Sequence, residues 1–227
     1  DITLLDGEQL KALYPDNAIR ILVGCAPCQP FSKYTNRYRK DGPTDDKWKL
    51  LYSFSRLVEE VYPEIVSMEN VPELENETVF TDFVSVLKKL NYYVDWKIVY
   101  CPEYGVPQSR KRLVLLASRF GEIKLIPPLY DTEHYPTVRQ AIGNLPALKN
   151  GEQDANDLLH RACRLSSINL KRIQQSIPGG TWRDWDEELQ LKCHKKASGK
   201  TYSSVYGRMC WDQPSPTITT QFYGYGN

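Results

Sequence analysis

The hydrophobic residues of the chain fall into short apolar runs that alternate with longer helical stripes. The first run, Ile19 to Val23, has the length of a buried parallel strand, and Gly24 allows the backbone to turn at its end. Apolar residues at three- and four-residue spacing predict helices over 48–61 and 78–90, and further short runs predict strands over 65–68, 92–100 and 113–118. This alternation predicts an α/β fold built on a doubly wound sheet with helices on both faces.

Capping signals and a change of composition mark the limits of this pattern. Asp6 and Gln9 form a capping box for a short helix over residues 7–14, and Thr137 caps a predicted helix that ends at Asn144. From about residue 145 strands and helices cease to alternate, and polar, glycine and basic residues dominate up to residue 206. We therefore predict a second, smaller and irregular domain.

Composition narrows the classes of function. The net charge of the 227 residues is only +1, so any basic surface for nucleic acid must be local. The six cysteines are too sparse for a secreted disulfide scaffold, and no apolar stretch approaches the roughly 20 residues of a membrane span, so we expect a cytoplasmic protein. Cys193-His194 fits no zinc spacing, and we expect no metal. The chain begins at Asp1 with neither an initiator methionine nor a signal-like segment, so we expect that upstream residues have been left out.

Cys28 follows the first predicted strand, where open α/β sheets carry their chemistry. Pro27 and Pro30 bracket Cys28 and Gln29, so the thiol lies on a stiff loop that cannot continue as a helix. Three interpretations stay open from the residues alone: a buried structural cysteine, a redox pair with Cys25 in a CxxC spacing, and a lone nucleophile.

Two further groups of polar residues stand at strand ends. Glu69 and Asn70 end the second strand. Burying a carboxylate there is costly unless it is hydrogen-bonded or protonated, which favours a functional role for Glu69. The alternatives to a functional role are a cap for the next helix and a pair with an arginine. Gln108, Arg110 and Arg112 lead into the last predicted strand, and a two-residue period directs them to one face. An amide and two guanidinium groups suit a base edge or a phosphate, but a basic edge that discourages aggregation also explains them.

Three loops have a composition suited to binding. Residues 33–47 are polar and irregular, and form either a mobile loop beside the thiol or a solvated connector. Residues 160–177 are rich in basic and small polar side chains, and the tight loop 178–183 carries Trp182 and Arg183. This composition suits contact with nucleic acid, although a solvated surface explains much of it.

Three motifs now stand in order, each at a strand end. They are Pro27-Cys28-Gln29-Pro30-Phe31-Ser32, Glu69-Asn70-Val71 and Gln108-Ser109-Arg110-Lys111-Arg112. In this order and spacing they resemble the motifs of the DNA (cytosine-5)-methyltransferase family. Asp1-Ile2-Thr3 resembles the cofactor-binding segment before the nucleophile strand, and residues 211–226, with Pro216-Thr217-Ile218-Thr219-Thr220, resemble the segment after the target recognition domain.

The resemblance covers nearly the whole chain and implies its organisation. Residues 1–149 correspond to part of the catalytic domain, a Rossmann-like S-adenosylmethionine-dependent methyltransferase sheet. Residues 150–206 correspond to the target recognition domain, where the resemblance is weakest because that region reads the DNA sequence. Residues 207–227 correspond to the return to the catalytic domain.

The resemblance also implies a reaction, the transfer of a methyl group to carbon 5 of a flipped-out cytosine in duplex DNA. Cys28 corresponds to the nucleophile that adds to carbon 6, and Glu69 to the acid that protonates ring nitrogen 3. Arg112 corresponds to the residue that contacts the cytosine carbonyl oxygen, with Gln108 and Arg110 as its supports. Asn70 helps to hold the loop.

Cofactor and DNA contacts follow from the same resemblance. The methyl donor is S-adenosylmethionine, the product S-adenosylhomocysteine, and Asp1, Ile2, Pro27 and Leu50 match cofactor-contacting positions. Ser32 and Thr219 match DNA-backbone or loop contacts, and Arg183 is the candidate in the recognition domain. Residues 33–47 are the candidate loop that closes over the flipped base. We expect a bacterial restriction-modification context, double-stranded DNA as partner, no membrane and a monomer.

The chain departs from the family pattern at both ends. The glycine-rich turn and the acidic ribose-binding residue that the family pattern places before Asp1 are not in this sequence, and neither is the closing cofactor segment that it places after Asn227. We therefore expect the isolated chain to be poorly soluble or partly disordered, and to show no saturable cofactor binding. The alternatives are methylation of RNA cytosine, a catalytically silent DNA-binding fragment, and a redox protein built on Cys25 and Cys28.

Overall fold

The structure is a computed structural model that describes residues 1–27, 49–195 and 207–218. Its contacts divide the chain into two compact units. Unit 1 comprises Asp1–Tyr100 and Lys111–Pro128, and unit 2 comprises Cys101–Arg110 and Leu129–Asn227. These bounds differ from the functional division into residues 1–149, 150–206 and 207–227, which stays a prediction.

Strands and helices alternate along the described chain. The strands are β1 (Ile21–Gly24), β2 (Ile65–Asn70), β3 (Tyr93–Tyr100), β4 (Gln108–Ser109), β5 (Lys111–Ser118) and β6 (Ser215–Pro216). The helices are α1 (Gly7–Lys11), α2 (Lys49–Val61), α3 (Thr78–Lys89), α4 (Val138–Ile142) and α5 (Ser167–Gln175). Short 3-10 helices cover Pro72–Asn76, Cys101–Tyr104, Trp182–Asp184 and Glu187–Leu189.

Four of the described strands form the mixed sheet of unit 1, in the order β1-β2-β5-β3. β1 runs parallel to β2, whereas β5 is antiparallel to both of its neighbours. The combination of this sheet with packed helices confirms the α/β fold class.

The core of unit 1 lies on one face of this sheet. Successive residues of a strand point to opposite faces, so Met68 of β2 and Leu115 of β5 are fully buried, while Glu69 points the other way. The helices α2 and α3 cover the core face. The ring centroids of Phe54 in α2 and Phe83 in α3 lie 5.7 Å apart. Burial on this face therefore fixes the register that determines where Glu69 lies.

β1 is less buried than its apolar sequence predicts. Ile21 is 51% exposed and Val23 is 70% exposed, so the prediction of a fully buried strand is wrong for this face. The physical reason is that β1 stands at the edge of the described sheet and these two side chains point away from the core helices. Leu22, on the other face, packs against the core.

The predicted capping box of Asp6 with Gln9 and the predicted N-cap at Thr137 are both confirmed. The Asp6 side chain accepts from the backbone N–H of Gln9, and Thr137 accepts from that of Gln140. Both helices end earlier than predicted, at Lys11 and Ile142. Caps specify where a helix begins more strongly than where it ends.

A charged cluster ties three strands together at the end of the sheet opposite Glu69. Arg20 precedes β1 and donates to both carboxylate oxygens of Glu64, at 3.1 and 2.9 Å. Arg119 follows β5, donates to the same carboxylate at 3.2 Å and stacks 3.7 Å from the Tyr62 ring centroid. The hydrogen bonds from Arg20 lower the pKa of Glu64 to about 2, so the carboxylate is firmly ionised at neutral pH.

Unit 2 has a small aromatic core that the sequence reading did not find. Trp182, Trp185 and Leu189 are buried together, and the buried His194 ring stacks on Trp182 with centroids 4.3 Å apart. Burial and the nearby Arg172 lower the pKa of His194. The Trp182 ring is therefore used in this core, and contact of the loop 178–183 with nucleic acid stays a prediction.

Candidate active site

Glu69 is the next-to-last residue of β2 and points to the face opposite the core. Its register partner on β5 is Val114, and Arg112 lies two residues away on the same face of that strand. The Arg112 Nε atom donates to Glu69 Oε1 at 2.6 Å. The Glu69 side chain is 38% exposed and that of Arg112 is 20% exposed, so the carboxylate is accessible while the guanidinium is mostly covered.

These contacts exclude one alternative for Glu69, the helix cap, and show another, the pair with an arginine. It is not a buried carboxylate, so the expected cost of burial does not apply. It does not cap the following 3-10 helix, whose N-cap residue Val71 has no side-chain cap. It does pair with an arginine, as one alternative held, and that arginine belongs to the third motif.

Cys25 brings a second donor to the same carboxylate. Gly24 of β1 pairs with Met68 of β2, so the next residues along these parallel strands are Cys25 and Glu69. The Cys25 thiol donates to Glu69 Oε2 at 2.8 Å. Cys25 forms no disulfide with any cysteine of the described residues, and Cys28, its partner in the redox interpretation, lies outside them.

Asn70 connects the end of β2 to the loop after β1. Its side chain is buried; Nδ2 donates to the Ala26 carbonyl at 3.0 Å, and Oδ1 accepts from the Val71 N–H at 2.9 Å. Both ends of this amide are therefore used in fixing backbone. The loop continues to Cys28, which with Gln29, Ser32 and residues 33–47 lies outside the described residues, as does Thr219.

Pro27 follows β1 and Leu50 lies in the first turn of α2, while the other two predicted cofactor residues, Asp1 and Ile2, precede α1. Ile2 and Ala26, the neighbour of Pro27, pack against the core cluster that contains Leu51, the neighbour of Leu50. The Asp1 carboxylate is exposed, and its Oδ1 accepts from the N–H and hydroxyl of Thr3 at 3.0 and 2.9 Å. These bonds orient the Asp1 carboxylate.

Arg56 of α2 holds this amino-terminal segment in place. One of its guanidinium nitrogens, Nη2, donates to the carbonyl oxygens of Ile2 and Leu5 at 3.3 and 2.7 Å, while Nη1 binds Glu60. Glu60 in turn accepts from the Gly7 N–H at 2.7 Å, at the start of α1. The sequence reading missed Arg56, because nothing in its helical spacing distinguishes it from a solvated surface residue.

Gln108 and Arg110 belong to unit 2 and are described within it. Gln108 of β4 pairs with Ser215 of β6, and the Arg110 carbonyl accepts from the Cys101 N–H at 2.8 Å. Thr217 donates from its hydroxyl to the Ser109 carbonyl at 3.1 Å. Residues 108, 110 and 112 are half-buried and residues 109 and 111 exposed, which is the predicted two-residue period.

Arg183 is exposed, with its guanidinium 5.5 Å from the centroid of the buried Trp182 ring. The ring supports the cation at the surface instead of offering its own face to a base. Arg183 thus keeps a surface position compatible with the predicted DNA contact.

The described residues contain neither a cluster of metal ligands nor a membrane-spanning helix. Within residues 1–27, 49–195 and 207–218, no group of three or more His, Cys, Asp or Glu side chains could hold a metal ion. In the same ranges no helix has both the length and the apolar character needed to cross a bilayer.

Comparison with known proteins decides the family. The model of the C-5 cytosine-specific DNA methylase family matches residues 1–226. The chain belongs to this family. It is 54% identical to the Type II methylase M.HgiDII of Herpetosiphon aurantiacus, in an alignment that covers the whole chain and 64% of that protein. It is 32% identical to the Type II methyltransferase M1.BsuMI of Bacillus subtilis, in an alignment that covers 91% of the chain and 46% of that protein.

A solved structure supports the fold of this family member. A prophage-encoded E. coli protein described as a DNA modification methyltransferase superposes with a TM-score of 0.53 at 22% identity, over 76% of the chain and 49% of that protein. The chain therefore spans about half to two thirds of the length of the proteins it resembles.

Proposed function

We propose that the protein transfers a methyl group from S-adenosylmethionine to carbon 5 of cytosine in duplex DNA. The observation that carries this proposal is the Glu69–Arg112 pair, an acid and a cation that β2 and β5 place 2.6 Å apart on an accessible sheet face. Family membership supplies the reaction class.

Carbon 5 of cytosine is a poor nucleophile and does not attack a methyl donor unaided. The reaction therefore needs a second nucleophile, supplied by the protein, that activates the ring. The Cys28 thiolate adds to carbon 6 and forms a C–S bond, and the ring electrons then make carbon 5 nucleophilic. In this step Glu69 transfers a proton to ring nitrogen 3. Arg112 donates a hydrogen bond to the cytosine carbonyl oxygen, where negative charge develops. After carbon 5 has taken the methyl group, a base removes the proton from carbon 5, the C–S bond breaks with release of the Cys28 thiolate, and the proton on ring nitrogen 3 returns to Glu69.

The adenine portion of the cofactor suits the four predicted cofactor residues, which are Asp1, Ile2, Pro27 and Leu50. An oriented carboxylate at Asp1 suits the exocyclic amino group, and the half-buried Ile2 and Leu50 with Pro27 suit the faces of the ring. S-adenosylmethionine, when bound, supplies an electrophilic methyl group on a sulfonium. The chain's own contribution is to hold the adenine through a segment that Arg56 fixes to α2.

We propose that residues 150–206 read the DNA sequence, as the target recognition domain. Arg183 contacts the DNA there, and Ser32 and Thr219 contact the backbone. The target base lies inside a duplex, so it must be flipped out, and residues 33–47 close over it. The protein acts as a monomer in a bacterial cytoplasm, paired with a restriction enzyme.

Product analysis tests this proposal. The full-length protein is incubated with methyl-labelled S-adenosylmethionine and equimolar duplex DNA and transfer RNA, and each polymer is digested to nucleosides. We expect label in 5-methylcytosine from DNA. Label in RNA alone would make the protein an RNA methyltransferase, and DNA binding with no labelled nucleoside would make it a silent DNA-binding protein; either result rejects the proposal.

A further inference from the structure

Among the described residues, donors to Glu69 come from two different strands and are fixed in different ways. Arg112 belongs to β5, and its Nη1 also donates to the Lys111 carbonyl at 2.7 Å, so its planar group has a defined orientation. Cys25 follows β1, and its thiol lies 2.8 Å from Oε2. The carboxylate is thus held at both oxygens, from two sides.

The backbone on either side of Cys25 is packed or hydrogen-bonded. A Cβ atom on Gly24 would lie 2.4 Å from the Phe54 ring, which shows how closely β1 approaches α2 at this point. On the other side, the Ala26 carbonyl is held by the buried Asn70 amide. These contacts fix where the Cys25 side chain begins, so its thiol is directed to Glu69 by the fold.

We propose that Cys25 is a positioning residue for Glu69. The last torsion of a glutamate side chain has a broad minimum, so a carboxylate held at one oxygen rotates about that contact. The Cys25 thiol at the second oxygen restricts this rotation and fixes the plane of the carboxyl group that faces the base. This inference rests on the proposed function, and it gives Cys25 a task as a reduced thiol, unlike the redox interpretation.

Three variants of the full-length protein test the role in catalysis. Cys25→Ala removes the donor, Cys25→Ser keeps one, and Ser85→Ala removes an exposed hydrogen bond within α3 as the matched control. From the usual free energy of one hydrogen bond we expect Cys25→Ala to lower the single-turnover methylation rate about 5- to 10-fold, with KM for DNA within about twofold. Cys25→Ser should recover most of the rate, and Ser85→Ala should match the unaltered protein.

A second measurement needs no methylation activity. The rate at which iodoacetamide alkylates Cys25 is followed by mass spectrometry, with the exposed Cys163 and Cys193 as internal references. A carboxylate beside the thiol opposes formation of the reactive thiolate, so Glu69→Ala should speed alkylation of Cys25 several-fold and leave the references unchanged.

The two measurements separate failure of this inference from failure of the proposed function. If no 5-methylcytosine forms, the proposed function fails, and the alkylation rates still decide whether Cys25 and Glu69 interact. The inference is overturned if Cys25→Ala methylates as fast as the unaltered protein, if Cys25→Ser is no better than Cys25→Ala, or if alkylation of Cys25 does not respond to Glu69→Ala.

Discussion

Glu64 should make the stability of the protein depend on pH in a defined acidic range. Its pKa is lowered from the model-compound value of 4.5 to about 2 by hydrogen bonds from Arg20. A carboxylate with a depressed pKa stabilises the fold above its unfolded pKa, and this contribution is lost as the pH falls from about 4.5 towards 2. The full shift corresponds to about 3 kcal/mol; screening by solvent reduces the expected contribution to about 1–2 kcal/mol.

The assay is urea unfolding at pH 7 and pH 3, followed by circular dichroism, on the unaltered protein and on Glu64→Gln. At pH 7 the variant should be less stable by about 1–2 kcal/mol, and roughly three fifths of that difference should vanish by pH 3. Glu122→Gln, which breaks an exposed 3.5 Å pair with Lys124, is the matched control and should change stability by less than about 0.5 kcal/mol. A difference between the protein and Glu64→Gln that is the same at both pH values would refute the reasoning.

Three further predictions concern the site and its surroundings. Glu69→Gln should lower the single-turnover rate about 100- to 10,000-fold while Lys124→Ala leaves it unchanged; a large fall in melting temperature with an unaltered rate would show that Glu69 is structural. Gly24→Ala should lower the free energy of unfolding by about 1–3 kcal/mol in a urea titration, because the new methyl group meets the Phe54 ring, and equal stability would contradict this packing. Exchange of residues 150–206 for those of a relative should change the methylated DNA site, as read by sequencing, and retention of the original site would misplace the recognition domain.

Much of the sheet could be predicted from local patterns. Helical spacing predicts α2 and α3, and apolar runs predict β2, β3 and β5, because α2, α3, β2 and β5 bury one face in the same core and β3 packs half-buried side chains against it. The α5 helix was missed, since it buries Arg172 instead of an apolar stripe, with its Nε donating to the Leu189 carbonyl at 2.7 Å. No periodicity in the sequence indicates a helix that packs through a hydrogen-bonded guanidinium group.

The sequence indicated Glu69 and Arg112 as candidates, but it did not indicate that they contact each other. Glu69 and Arg112 stand in separate motifs, and only the antiparallel register of β2 and β5 shows that they meet. The same holds for Cys25, whose approach to Glu69 depends on the parallel pairing of Gly24 with Met68. Strand register depends on long-range packing, which short motifs do not contain.

Covalent trapping tests the central claim, that Cys28 attacks a cytosine held by Glu69 and Arg112. The full-length protein is incubated with S-adenosylmethionine and duplex DNA that carries 5-fluorocytosine, whose fluorine blocks the final elimination, and the linked peptide is mapped by mass spectrometry. The account predicts a stable adduct at Cys28, absent in Cys28→Ala and still formed, more slowly, in Cys25→Ala. An adduct that persists in Cys28→Ala, or that maps to Cys25, would contradict it.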